Sequence, residues 1–228
     1  MRYRPPVSDT DVLVVTTHSP DLESFGQVLG GSLSDKISGL RVSARSIAIG
    51  LAGVSASLAA RITDLRPRAV VLVGTCASYP GRNLAPGHVV VANRIVLADA
   101  GVLKGWSSFP GPMTGTLDTH RAMTSALLST GPRAVTVAST LAVTVDAGLA
   151  QAFVTQLGCD AEHLEAFGAA MACAPSQLPF AVVLGVSHEV GPNARETWRV
   201  THRQAAQAAA ALVTAWLHTG GAGVPHGT

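Results

Sequence analysis

The sequence has few charged residues and few aromatic residues. Of its 228 residues, 13% are charged and 4% are aromatic. The 16 basic and 14 acidic residues leave a formal net charge of +2, and the basic residues are scattered along the chain. A charge this small gives little electrostatic attraction for nucleic acid or for an anionic membrane surface. We therefore expect neither of them as a partner.

Cysteine is also scarce. The three cysteines, Cys76, Cys159 and Cys173, are widely spaced and form neither a CxxC motif nor a Cys/His cluster. This spacing argues against a disulfide scaffold and against a metal site, and it favours a reducing compartment. We expect a cytoplasmic protein that uses no metal and no other cofactor.

Long apolar runs are absent as well. No run reaches the roughly 20 residues that a membrane-spanning helix needs. Residues 1–10 are polar and contain prolines, unlike a signal peptide. Residues 220–228 are rich in Gly and Pro, which predicts a disordered tail. The sequence thus predicts one domain over residues 1–219, a length that a single α/β domain can reach.

Hydrophobic residues, by contrast, make up 47% of the chain and form alternating strand-like and helix-like segments. Strands are predicted at 12–15, 42–49, 69–73, 89–91, 95–97, 134–138 and 180–186. Helices are predicted at 19–29, 53–65, 119–128, 146–157, after Glu165 and at 194–217, with a long functional loop at 98–116. This alternation is typical of an α/β fold, so we expect one domain with a central mixed β-sheet flanked by helices.

Polar residues collect where four of these strands end. In open α/β sheets, ligands bind beyond the carboxyl ends of the strands. The segments at such positions are 16–23, 74–79, 139–140 and 187–189. We therefore expect the functional residues to lie in these segments.

Three features carry candidate chemistry. After the apolar strand 69–73, Gly74 and the small residues behind it let a ligand approach the backbone, although a tight turn with a buried cysteine fits equally. Glu165 precedes an apolar helix, where it can accept sugar hydroxyls or simply interact with the helix dipole. His188 follows the last strand and can act as a general acid or be structural. His18 and His163 are interpreted as structural.

In their order along the chain, these segments resemble the purine nucleoside phosphorylase and nucleosidase superfamily. Residues 49–56 resemble the GxGxxxA segment of that family, 73–77 its GTAG or GSCG turn, 84–92 its L..GDVVVA strand and 164–166 its MEG or MEA motif. Ser187 and His188 stand where the family has Ser-Asp. The resemblance covers about residues 11–217, and five motifs in the same order are far more specific than any one of them.

Two features favour a hydrolase within this family. The resembling phosphorylases carry an arginine two residues before the glycine of the central turn, and this chain has Leu72 there. Their first loop is Gly-rich with an arginine, whereas residues 16–25 contain neither. A phosphate dianion would lack a compensating cation, so water is the expected nucleophile.

One branch of the family matches better than the others. The Thr140–Thr144 stretch and the segment 187–198, which ends at Trp198, resemble futalosine hydrolase, the nucleosidase of the menaquinone pathway. The alternative branch is methylthioadenosine/S-adenosylhomocysteine nucleosidase. Both branches act on a small-molecule purine nucleoside, and the resemblance also implies a homodimer.

The resemblance implies roles for individual residues. Glu165 would bind the ribose hydroxyls, and Asp21, with Glu23 as the alternative, would orient the attacking water, in keeping with carboxylate roles in glycoside hydrolysis. His188 would contact the purine and protonate or hydrogen-bond a ring nitrogen. The remaining substrate-binding candidates are Thr75, Cys76, Ala77, Val143, Leu164 and Ser187.

Two positions depart from the family pattern. Asp21 is one methylene shorter than the usual glutamate, and His188 replaces the usual aspartate. A general acid contributes about 10²- to 10⁴-fold in rate. The sequence therefore leaves open a phosphorylase, a different substrate, or a nucleoside-binding protein with little turnover.

Overall fold

The structure, a computed structural model, describes residues 10–31 and 33–226. Within these residues, the helices are α1 (Ser19–Val28), α2 (Leu51–Leu65), α3 (Ala100–Leu103), α4 (Arg121–Leu128), α5 (Ala147–Leu157), α6 (Ala166–Cys173) and α7 (Ala194–His218). The strands are β1 (Val12–Thr16), β2 (Ser34–Ile37), β3 (Leu40–Ser46), β4 (Ala69–Ser78), β5 (Val89–Leu97), β6 (Thr116–Asp118), β7 (Arg133–Ser139), β8 (Ala161–Glu162) and β9 (Phe180–Glu189). A short 3-10 helix follows α6 at Ala174–Ser176.

The strands form one mixed sheet. Its order is β2-β3-β1-β4-β8-β7-β5-β6, and β9 pairs with both β4 and β5. β9 runs parallel to β4 and antiparallel to β5. Because β8 pairs with both β4 and β7, and β7 pairs with β5, the strands β4, β9, β5, β7 and β8 close into a ring. The predicted fold class, one α/β domain with a mixed sheet flanked by helices, is confirmed.

Helices cover both faces of the sheet. In β1, Leu13 and Val15 belong to a core cluster with residues of α2 and α6, whereas Val12 and Val14 belong to a cluster with residues of α1, α4 and α7. Successive residues of a strand face opposite sides of a sheet. The continuous apolar run of β1 is therefore buried from both sides, as in other parallel sheets covered by helices.

Helix α7 spans 25 residues and packs along β9. Ala205, Ala209 and Trp216 on its inner face are buried, and charged residues such as Glu196 and Arg203 lie elsewhere on the helix. Among the described residues, no helix is long and apolar enough to cross a membrane.

Two strands are longer than the sequence predicts. β4 runs on from Val73 to Ser78, because its last two residues pair with β8 while most of the strand pairs with β9. A β-bulge lies between Cys76 and Ala77. Of the two alternatives for this segment, the tight turn at Gly74 is therefore wrong, and a bulged strand continues through it. β9 likewise continues through residue 189, and 89–91 and 95–97 form the single strand β5.

The hydrophobic pattern misses several short elements. Strands β2, β6 and β8 have only two to four residues, too few for a periodic apolar signal. The predicted loop at 98–116 contains α3, whose N-cap is Asp99. The carboxylate of Asp99 accepts a hydrogen bond from the backbone N–H of Val102 at 2.8 Å.

The segment after α7 also differs from the prediction. Two of its residues, Gly221 and Val224, are buried, whereas the composition predicts a disordered tail. Val224 packs in the core cluster on the α7 side, and the indole N–H of Trp216 donates to the carbonyl of Ala222 at 3.1 Å. These contacts involve partners that sequence composition does not reveal. Residues 227–228 lie outside the described part of the chain.

A buried carboxylate joins the start of β1 to this C-terminal segment. Asp11 accepts hydrogen bonds from the guanidinium groups of Arg41 and Arg68, both at 2.9 Å. Arg68 also donates to the carbonyl of Pro225. The hydrogen bonds from Arg41, opposed in part by burial, hold the pKa of Asp11 well below its usual range.

Candidate active site

A pocket opens at the carboxyl ends of β1, β4 and β9. Its volume is about 220 Å³. Nine of the ten predicted site residues lie on its wall: Asp21, Thr75, Cys76, Ala77, Val143, Leu164, Glu165, Ser187 and His188. The tenth, Glu23, is exposed on α1 and is not on the wall, so the first-loop carboxylate in the pocket is Asp21. Chain segments that are far apart in sequence thus converge at the expected edge of the sheet.

Asp21 is a buried carboxylate in the first turn of α1. The helix begins at Ser19, as predicted, with His18 at the N-cap position and Pro20 in its first turn. Among the described residues the Oδ1 atom of Asp21 has no hydrogen-bond partner, and the imidazole Nδ1 of His18 lies 3.8 Å from it. Burial, together with the nearby charge of Glu165, raises the pKa of Asp21 to about 7. This carboxyl group therefore exchanges a proton near neutral pH.

Glu165 is held at the N-cap position of α6. Its Oε1 accepts a hydrogen bond from the backbone N–H of Gly50 at 3.1 Å, which ties the GxGxxxA segment to the pocket. The hydroxyl of Ser139 donates to the carbonyl of His163 at 2.7 Å and accepts from the N–H of Phe167 at 2.9 Å. Ser139 thus stabilises the 163–167 segment through hydrogen bonds. Neither Ser139 nor Thr140 lines the pocket, contrary to the expectation for 139–140.

Glu162 lies on the same wall, but its carboxylate is fully engaged. It accepts hydrogen bonds from the hydroxyl of Tyr79 at 2.8 Å and from the backbone N–H of Thr144 at 3.0 Å. The Thr144 hydroxyl also donates to it. These bonds anchor the 140–144 stretch and so place Val143 on the wall. The role of Glu162 is structural.

A chain of hydrogen bonds orients His188. The hydroxyl of Ser187 donates to the carbonyl of Cys76 at 3.0 Å, so its oxygen accepts from His188 Nδ1 at 2.8 Å. The Nδ1 atom therefore carries a proton, and in the neutral ring Nε2 has a free lone pair. Burial lowers the pKa of His188. When the ring is protonated, Nε2 becomes a donor.

The sequence interpretation missed His163 as a pocket residue. This side chain is buried, and its Nδ1 accepts a hydrogen bond from the backbone N–H of Glu165 at 3.3 Å. Burial lowers the pKa of His163, and the charge of Glu165 opposes that effect. A single histidine beside apolar residues gives no sequence signal of its own, although its place two residues before Glu165 is a usable clue.

An aromatic group forms another side of the pocket. Trp198 of α7 stacks on His202, with ring centroids 4.4 Å apart, and contacts the edge of His18 at 5.4 Å. Trp198 and His18 both line the pocket. Burial is the main cause that lowers the pKa of His18. The Trp198 position belongs to the 187–198 segment that the sequence singles out.

Other expected contributors lie elsewhere. Residues 98–116 do not reach the wall, and Trp106 is 77% exposed. Leu72 is buried in the core. Within the described chain, no lysine or arginine lies on the pocket wall. The same residues contain no group of three or more His, Cys, Asp or Glu side chains placed to hold a metal ion.

Solved structures of known proteins share this fold. The 5'-methylthioadenosine/S-adenosylhomocysteine nucleosidase of Helicobacter pylori, solved with butyl-thio-DADMe-Immucillin-A, matches with a TM-score of 0.80 at 12% identity, over 90% of this chain and 97% of that one. Futalosine hydrolase of the same organism matches with a TM-score of 0.79 at 13% identity, over 90% and 96%. The corresponding nucleosidase of Neisseria meningitidis, in complex with methylthio-immucillin-A, gives 0.79 at 17%, over 92% and 99%. Identities this low show a common fold.

Comparison at the level of sequence shows which family the chain belongs to. No protein of curated function matches the chain. Residues 25–218, however, match the sequence profile of the Phosphorylase superfamily, and this stretch includes β4, the Glu165 segment and the end of β9. Since the match spans most of the chain, the protein belongs to the Phosphorylase superfamily.

Proposed function

We propose that this protein is a nucleosidase that hydrolyses the N-ribosidic bond of a purine nucleoside. The observation that carries the proposal is the convergence of two buried carboxylates, Asp21 and Glu165, with the imidazole of His188 on one pocket wall. Cleavage of this bond passes through a cation-like sugar. Anionic groups for the sugar and a proton donor for the departing base match what that transition state needs.

In this mechanism, Glu165 binds the ribose hydroxyls. Its Oε1 is fixed by the N–H of Gly50, so the carboxylate is oriented before the nucleoside arrives. A negative charge beside the sugar also stabilises the positive charge that develops on C1′. Thr75, Cys76 and Ala77 have small side chains on the pocket wall, against which the sugar and base can pack.

Asp21 is the proposed base for the attacking water. In its ionised form it takes a proton from water while the C1′–O bond forms and the C1′–N bond breaks. The electron pair of the broken bond leaves with the purine. The purine takes up a proton from His188 Nε2 when that ring is protonated, or from solvent otherwise. A pKa of about 7 makes Asp21 a stronger base than an ordinary aspartate.

Water is the proposed nucleophile because the wall offers phosphate no cation. The described wall residues include no lysine or arginine, and two of them are buried carboxylates. A phosphate dianion in this pocket would meet like charges without a compensating partner. The phosphorylase alternative is therefore disfavoured.

The finer proposal is a futalosine-like substrate in the menaquinone pathway, acted on in the cytoplasm. Its support is the similarity of the 140–144 and 187–198 segments to futalosine hydrolase. Trp198 in the second of these segments lines the pocket. The methylthioadenosine/S-adenosylhomocysteine nucleosidases, whose structures match equally well, make that reaction the alternative.

We also propose that the protein is a homodimer. An apolar rim, made of Ile49, Leu141, Val143 and Val145, is 51 to 77% exposed. Ile49 and Val143 of this rim also line the pocket. A second copy packed on the rim would remove its apolar surface from water and close the mouth of the pocket.

Base release tests the function. The purified protein is incubated with futalosine, aminofutalosine, methylthioadenosine, adenosine and inosine, with and without phosphate, and the products are separated by chromatography. Release that does not depend on phosphate supports the hydrolase, and the preferred nucleoside identifies the branch. Strict dependence on phosphate contradicts the proposed nucleophile.

Two variants and one control connect the activity to the pocket. Asp21→Asn and Glu165→Gln are expected to lower kcat/KM by about 10²- to 10⁴-fold. Glu23→Gln, on the exposed face of α1, is expected to match the wild type. Ligand-induced thermal stabilisation without any product would instead favour a nucleoside-binding protein.

A further inference from the structure

Asp21 and His163 reach the same point above the backbone of β4. A Cβ atom built on Gly74 would lie 3.4 Å from Asp21 Oδ2 and 3.4 Å from His163 Nε2. Gly74 directly precedes Thr75, which lines the pocket, as do both polar side chains. Both side chains therefore border the space beside Gly74 that a side chain at this position would fill, so that a small ligand there has a carboxylate oxygen and an imidazole nitrogen as neighbours.

The hydrogen bonds around His163 determine which nitrogen carries the proton. Nδ1 accepts from the backbone N–H of Glu165 at 3.3 Å, and Glu165 Oε2 lies 3.5 Å from the same nitrogen. Because the backbone N–H needs a lone pair on Nδ1, we assign the proton of the neutral ring to Nε2. The Nε2–H thus faces the point above Gly74 as a donor. Ionised Asp21 faces the same point as an acceptor. The two groups are complementary to the acceptor and donor faces of a water molecule.

The carboxylate side of this arrangement also has unused hydrogen-bonding capacity. Asp21 is 3% exposed; its Oδ2 faces the space beside Gly74, and the other oxygen, Oδ1, has no hydrogen-bond partner among the described residues. A buried carboxylate oxygen without a partner is costly, and such groups commonly await a ligand or a bound water. His163 is similarly buried, at 6% exposed, and its Nε2 forms no hydrogen bond within the described chain.

We propose that His163 is a second catalytic residue, which holds the attacking water together with Asp21 above Gly74. The proposal rests on the hydrolase function given above. His163 Nε2–H donates to one lone pair of the water oxygen, and one water hydrogen points to Asp21. The second lone pair is then directed at C1′ of the ribose.

The chemical step balances with these groups alone. The water oxygen forms the bond to C1′, the C1′–N bond breaks, and its electron pair leaves with the purine. The water proton that faces Asp21 passes to that carboxylate. His163 gives up no proton, so it remains a neutral donor throughout and its effect is to orient the nucleophile.

Gly74→Ala tests the shared point directly. The added methyl group meets its neighbours at ordinary contact distances of 3.4 to 3.8 Å, so the fold is expected to tolerate it. It nevertheless occupies the position between Asp21 and His163. The expected result is a kcat at least about tenfold lower, with KM and the melting temperature little changed. Gly111→Ala, where nothing lies within 4 Å of the new methyl group, is the control.

A pair of His163 variants separates catalysis from structure. Glutamine places an amide N–H near the position of Nε2, whereas asparagine places its amide near Nδ1 and can keep the bond from the Glu165 N–H. If His163 holds water, His163→Gln retains more activity than His163→Asn. A purely structural role predicts the reverse order, and melting temperatures show whether each variant is folded.

The outcomes distinguish this inference from the function on which it rests. An active wild type with unchanged kcat in Gly74→Ala, or with His163→Asn more active than His163→Gln, overturns the role of His163 alone. A wild type that releases no base from any nucleoside overturns both. Loss of kcat in Gly74→Ala together with rescue by glutamine at 163 supports the water site.

Discussion

At the scale of single residues, the proposed base of the pocket has a higher pKa than the proposed acid. Asp21, the proposed base, has a pKa raised to about 7 by burial, whereas burial lowers the pKa of His188, the proposed acid, below its ordinary 6.5. The productive form needs Asp21 ionised and His188 protonated. These shifts favour other protonation states at neutral pH, so we expect the proposed pair to support slow turnover.

The pH dependence of kcat/KM follows from this order of the two pKa values. We expect a bell-shaped profile with a low maximum, because Asp21 must lose a proton and His188 must keep one. In His188→Gln the alkaline decline is expected to disappear, leaving activity that rises through about pH 7 and then stays level. A decline above pH 7 that persists in this variant would exclude His188 as the acid.

Asp21 also links stability to pH. Because its pKa is raised from 3.8 to about 7 on folding, the folded state keeps this proton to a higher pH than the unfolded state does. Its contribution to stability is complete below pH 4 and falls as the pH rises through 7. The shift corresponds to about 4 kcal/mol.

Asp21→Asn removes this dependence. The free energy of unfolding of the variant, minus that of the wild type, is expected to grow by up to about 4 kcal/mol between pH 4 and pH 7. Denaturant unfolding at several pH values measures the difference. A difference that does not change with pH would mean that the buried carboxyl group is not destabilised in the folded protein.

The sequence predicts some of the residues that line the pocket and misses others for a physical reason. Glu165 and His188 are predicted because one belongs to a recognisable motif and the other follows a strand end. Between Asp21 and its alternative Glu23, only Asp21 is buried and on the wall. His163 was missed, because what gives it a role is its position across from Asp21, which no local pattern encodes.

At the scale of elements, the long apolar strands and helices were predictable and the short pieces were not. Strand β1 and helices α2 and α7 follow clear apolar patterns, and their predicted bounds are within a few residues of the structure. The ends of β4 and β9 were predicted too early. Their last residues are small or polar, and hydrogen bonds to neighbouring strands, not hydrophobicity, keep them in the sheet.

Close packing of α7 on β9 gives a prediction at this scale. A Cβ atom on Gly185 would lie 2.0 Å from the carbonyl oxygen of Ala205. Gly185→Ala must push the helix away from the strand, and we expect a loss of about 3 kcal/mol in the free energy of unfolding. Gly111→Ala, in open space, is expected to change it by less than about 0.5 kcal/mol.

The same variant is expected to affect the pocket. β9 carries Ser187 and His188 just beyond Gly185, so a displaced strand also displaces the proposed acid. Activity should therefore fall in the fraction that remains folded. Equal melting temperatures for the Gly185 and Gly111 variants would show that α7 can move aside at no cost.

At the scale of the whole molecule, the apolar rim predicts association. Leu141 is 77% exposed in a single chain, and Leu141→Asp would place a charge in the proposed interface. We expect light scattering to give the mass of a dimer for the wild type and that of a monomer for this variant. Val200→Asp, which changes an equally exposed apolar residue on α7, is expected to remain dimeric. A monomeric wild type contradicts the proposal.

The contacts of Arg68 bring two distant parts of the chain together. Asp11 and Pro225 both bind this side chain, at the end of β1 that faces away from the pocket. The five residues of β1 put about 17 Å between this junction and the first loop. A short linker from residue 225 to residue 11, with new termini opened near the exposed Gly111, would give a circular permutant in which no strand or pocket segment is cut.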